Sequence, residues 1–108
     1  MDDRPTDLFT RTSMSALARP DVTTGTMMGF PCLRVAGEFF ASCDRRSGDL
    51  IVKLPRERVQ ELIEAGVGSP FAPAGRTFRE WVLVSDRDET LWVDLIDEAR
   101  VFVAAKAP

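Results

Sequence analysis

Residues 33–65 read LRVAGEFFASCDRRSGDLIVKLPRERVQELIEA, and this stretch decides the fold. Leu33–Ala36 and Glu38–Cys43 are short runs rich in Val, Phe and Leu, parted around Gly37, which is a hairpin signal. The register stays open. A two-residue loop puts Leu33, Val35 and Phe40 on one face, whereas a three-residue loop puts Leu33, Val35, Phe39 and Ala41 there. Asp44–Asp49 is a turn cluster containing Gly48. Leu50–Leu54 then alternates as a third strand, with Leu50, Val52 and Leu54 on one face and Ile51 and Lys53 on the other. Pro55 suits the first turn of a helix, Val59, Leu62 and Ile63 recur at helical spacing, and Gly66 is a C-terminal stop.

The flanks fit an α+β domain. Thr6 is placed to cap a first helix that reaches Ala18, before Pro20, and Pro20–Gly29 reads as a connection into the sheet. Gly66–Gly75 is a Gly/Pro-rich loop. Arg76–Val84 alternates as the clearest strand. Asp86 with Glu89 forms a capping-box pattern ahead of a last helix whose stripe is Leu91, Trp92, Leu95, Ile96, Ala99, Phe102 and Val103. The order is α-β-β-β-α-β-α, with room for one more short strand near 67–75. Consecutive short strands favour an antiparallel sheet. Three amphipathic helices bury their stripes most simply on one sheet face, which makes two layers.

With 108 residues, 44% of them hydrophobic and 29% charged, a single domain (1–108) with one modest core is expected. No apolar run approaches the ~18 residues of a membrane span, and the polar start MDDRPTDLFTRT lacks a secretory pattern, so the expected compartment is the cytoplasm. Cys32 and Cys43 would sit on neighbouring strands of the hairpin as small apolar side chains with reduced thiols.

There is no histidine and no tyrosine. The absence of histidine removes Ser–His and Cys–His nucleophile pairs and the commonest metal ligand. Neither a Walker spacing nor a dinucleotide-binding GxGxxG occurs. The expectation is a protein that is not an enzyme, with no cofactor or metal.

Charge is uneven. The net charge is −3, but residues 34–79 hold eight Arg/Lys against six Asp/Glu, whereas residues 80–108 hold three against seven. The candidate binding surface is therefore Arg45, Arg46, Lys53, Arg56, Arg58, Arg76, Arg79 and Trp81. Arginines beside an aromatic can hold phosphate or stack a base. In the structural alternative, Trp81 packs against the core, Arg79 pairs with an acidic neighbour and Lys53 lies on a solvated strand. Arg45 and Arg46 join Arg56 and Arg58 in one patch only if the 44–49 turn lies near the helix start. If helices cover one sheet face, Ile51 and the outward member of Phe39/Phe40 are exposed on the other, a surface for homodimerisation.

The ordered set Gly25-Thr26-Met27-Met28-Gly29-Phe30-Pro31, Leu33–Ala41, Leu50–Pro55, Arg58-Val59, Leu62, Gly66, Pro70-Phe71, Gly75-Arg76 and Arg79–Val82 resembles the family of the TfoX/Sxy N-terminal domain and the related small bacterial YjbR/MmcQ proteins. That resemblance implies a secretion-chaperone-like, YjbR-like α+β fold with a fifth strand near 68–74. It also implies a regulatory or protein-interaction module, and as the alternative a DNA-binding one that uses the central arginines.

Overall fold

The computed structural model describes residues 7–27 and 29–106. Three helices and six strands follow in the order α1 (Asp7–Leu17), β1 (Val22–Met27), β2 (Phe30–Val35), β3 (Glu38–Cys43), β4 (Leu50–Lys53), α2 (Arg56–Glu64), β5 (Ser69–Phe71), β6 (Phe78–Val84) and α3 (Glu89–Lys106), with a 3-10 turn at Pro73–Gly75. The strands form one antiparallel sheet in the order β1-β2-β3-β4-β6-β5. This is the expected two-layer α+β architecture, with the extra strand falling at 69–71. The cap expected at Thr6 lies outside the described residues.

The segment read as a connection contains a strand. β1 pairs with β2 from Val22↔Val35 to Met27↔Phe30 without a break. Its Val-Thr-Thr-Gly-Thr-Met sequence carries too few apolar residues to alternate visibly. Pairing with β2, rather than its own pattern, makes it a strand.

The hairpin register resolves both open readings at once. Val35 pairs with Glu38 across a two-residue loop, with Ala36 at φ 52° and Gly37 at φ 81°. Positive φ at both loop positions is the type I′ signature, which matches the twist of paired strands. A bulge then intervenes, because Arg34 pairs with Phe39 but Leu33 pairs with Ala41. The extra residue, Phe40, joins Ala41 and Cys43 in the buried core, while Phe39 turns to the other face beside Arg34.

The core lies between the sheet and the helices. Leu33, Val35, Phe40, Leu50, Val52, Leu54, Val82 and Val84 meet Leu8, Phe9, Val59, Leu62, Trp92, Leu95 and Ile96. The helix start of α3 corrects the capping expectation. Asp88, not Asp86, accepts the Leu91 N–H (3.1 Å), and Asp86 instead accepts the N–H of Asp88 (3.0 Å).

The other face is not an open apolar surface. Ile51, expected to be exposed, is fully buried, as are Ser42 and nearly so Cys32, and Phe39 is half-buried under Arg34. The exposed apolar patch on which sheet-face dimerisation would rest is not formed there. Cys32 pairs across the strands with Ser42, so Cys43 points to the opposite face and the two thiols are separated by the sheet. No helix among the described residues is long and apolar enough to cross a membrane.

Candidate functional site

A groove lies where α2 packs against β5 and β6. Gly66 ends α2, and the chain returns through β5 to the edge of the sheet, so β5 and β6 run beside the helix that precedes them. The groove between them holds about 600 Å³, and its walls include Arg56, Val59 and Ile63 from the helix side and Pro70, Phe78, Arg79 and Trp81 from the sheet side.

The apolar parts of these walls are already packed as a unit. The Phe71 ring lies 6.0 Å from Phe78 and 6.4 Å from Trp81, tilted against both. Trp81 is half-buried, and its outer ring face meets the Lys53 ammonium at 5.9 Å. Arg76 sits over Phe78 at 5.4 Å. Phe78 is one of the few large apolar side chains that remain exposed among the described residues. Cations over aromatic faces contribute about 0.5–1 kcal/mol at exposed sites and hold the rings in place.

Apart from Arg76, the candidate arginines divide into three groups. Arg56 and Arg79 both line the groove, and among the described residues neither makes an ion pair or a hydrogen bond through its guanidinium. The acidic neighbour expected for Arg79 is therefore not found. Glu57 and Gln60 add polar groups to the rim. Arg58 points elsewhere: its Nε and Nη2 donate to the two oxygens of Glu98 at 2.8 and 3.3 Å, and Nη1 donates to Glu61 at 3.2 Å. The Glu98 hydrogen bond is the main cause that holds its pKa above the ordinary arginine value. Arg58 ties α2 to α3 and takes no part in the groove.

Arg45 and Arg46 lie at the far end of β4. Their turn precedes Leu50 and α2 begins after Lys53, so the length of β4, about 10 Å or more, separates them from Arg56. Arg45 instead donates to the Gly29 carbonyl at 3.0 Å. The continuous patch from 45 to 79 does not form. Arg56, Arg76, Arg79, Lys53 and Trp81 are the subset brought together.

The thiols lie apart from the groove. Burial pushes the Cys43 thiol up to about 11, against an opposing pull from Arg87, and burial also raises Cys32, offset by Arg34. Thiols held protonated are poor nucleophiles. Among the described residues no three His, Cys, Asp or Glu side chains gather as a metal site.

Residues 17–101 match the YjbR family, and the chain belongs to it. No curated protein and no solved structure matches the chain.

Proposed function

We propose that this YjbR-family chain is a non-catalytic interaction module of a regulatory kind, whose α2–β6 groove docks a short segment of a partner protein. The segment is apolar enough to lie on Val59, Ile63, Phe78 and Trp81, and acidic enough to meet Arg56 and Arg79. One observation carries the reading: Arg56 and Arg79, whose guanidinium groups have no ion pair or hydrogen bond among the described residues, line a groove whose apolar wall includes exposed Phe78 and half-buried Trp81. Desolvated aromatic anchors beside arginine are the usual composition of strong binding spots between proteins. An unanswered Arg charge gains most from a carboxylate, which it can take bidentately. The lack of histidine and the raised thiols support a site without chemistry.

A second reading has support from the cation–aromatic pairs Lys53–Trp81 and Arg76–Phe78, because single-stranded nucleic acid uses stacking rings beside phosphate-binding cations. Selection of random peptides on the immobilised chain, run beside short single-stranded DNA, separates the two. Enrichment of sequences that pair an aromatic or aliphatic residue with Asp/Glu, with binding lost in Arg56→Glu/Arg79→Glu, supports the first. Binding of DNA alone, falling steeply with salt, would replace it with the second.

A further inference from the structure

The opposite edge of the sheet carries a second, independent feature. Sheet edges in natural proteins are shielded by shortness, proline, charge or a bulge, because unpaired N–H and C=O groups recruit other strands. The β5 edge has these devices: three residues, Pro70, and a break in register before Phe71. The β1 edge has none of them. Its six residues contain no proline and no charge, pair evenly with β2, and have no strand on their outer side among the described residues.

Arg34 marks that edge. Its guanidinium lies flat over Gly25 of β1: a Cβ built on Gly25 would stand 2.7 Å from Nη2 and 2.9 Å from Nε. Any side chain at position 25 would push the guanidinium out of this place. On its other side the guanidinium stacks on Phe39 at 5.5 Å. The group thus lies between Gly25 and Phe39. Yet its Nε is buried with no hydrogen-bond partner, and among the described residues no carboxylate pairs with it. A buried donor left without a partner is unfavourable, more so when charged. The stacking on Phe39 supplies no acceptor for this donor.

We infer that the β1 edge is a docking strand for an extended segment of a partner protein, and that an Asp or Glu of that segment is received by Arg34. Strand addition supplies main-chain hydrogen bonds, and one aligned side-chain site supplies specificity. The occupant must bring the carboxylate, because β1 has none. A second copy of this chain fits poorly. The antiparallel register that would set its Asp21 against Gly25 also sets its Val22 against Thr24, and the Val22 N–H is already donated to the Arg19 carbonyl. This inference does not rest on the α2–β6 groove.

The test uses the full chain with two probes, the peptides acetyl-TVTETVT-amide and acetyl-TVTQTVT-amide, followed by amide hydrogen exchange and affinity measurement. The expected result is new protection at the β1 amides, with the glutamate peptide bound about tenfold or more tightly than its glutamine twin. Arg34→Gln should erase that preference. Gly25→Ala should weaken it by displacing the guanidinium. Arg56→Glu/Arg79→Glu should leave it unchanged, which keeps this result separate from that of the groove. Circular dichroism confirms that each variant is folded, and Arg34→Gln alone suffices should Gly25→Ala fail to fold. Equal affinity for the two peptides, protection at any other site, or β1 protection that rises with protein concentration in the absence of peptide would overturn the inference.

Discussion

Arg34 and Phe39 face each other across the β2–β3 pair, with the guanidinium carbon 5.5 Å from the ring centroid, while Phe40, the next residue, lies fully buried on the opposite side of the sheet. Two adjacent phenylalanines therefore have unlike environments because of one bulge. Phe40→Ala should cost about 3–5 kcal/mol, as for a large core truncation, whereas Phe39→Ala should cost about 1 kcal/mol, chiefly its contact with Arg34. Denaturant titration of both variants checks this, and equal losses would mean the bulge is misplaced.

The two tryptophans should separate in the same way. Trp92 is fully buried, and its indole N–H donates to the Asp86 carbonyl. Trp92→Ala should remove about 3–5 kcal/mol, much of the stability of a small domain. Trp81 is only half-buried, so Trp81→Ala should cost about 1–2 kcal/mol while abolishing partner binding. Thermal melts compared with binding would reveal the split; a Trp81→Ala chain that binds normally counts against the groove.

Stability should fall in alkaline solution through Cys43. Burial raises its folded-state pKa from 9.0 to about 11. Below pH 9 the thiol is protonated in both states, so its contribution is fully present. Between pH 9 and about 11 the unfolded chain loses this proton while the folded chain keeps it, and stability declines by about 2–3 kcal/mol. Urea titrations across that range should show the decline in the natural chain and a smaller one in Cys43→Ala. Identical slopes would contradict the burial.

Arg58 links α2 to α3 through Glu98. Both side chains are more than a third exposed, so solvent screens the pair. A double-mutant cycle of Arg58→Ala and Glu98→Ala should give a coupling of about 0.5–1 kcal/mol that shrinks with salt. Partner binding should survive, since Arg58 stands outside the groove.

Much of the fold was legible because α2, β4, β6 and α3 carry clean periodicities, and the core-facing stripe of each follows from those patterns. β1 was not, since a Thr-rich run with a central glycine becomes a strand only through β2. The bulge at Phe40 was hidden for a related reason: an inserted residue breaks the period of two on which sequence reading depends. The burial of Ile51 was missed because a middle strand can be closed on both faces, which a two-layer expectation does not foresee. At the site, residue type was readable but assembly was not. Arg56 and Arg79 meet only because α2 folds back on β6, and Arg58, two residues from Arg56, is taken by an acid on α3. The role of Gly25 could have been suspected from a glycine inside a strand-like run, a sign of close approach.

The central claim is that the α2–β6 groove receives an acidic, apolar segment. Its most direct measurement is a two-dimensional NMR titration of the labelled chain with a display-selected peptide of that composition. The account predicts shifts concentrated at residues 56–63 and 77–81, and their loss in Arg56→Glu/Arg79→Glu. Shifts centred on the 44–49 turn, or binding that survives reversal of both arginine charges, would contradict it.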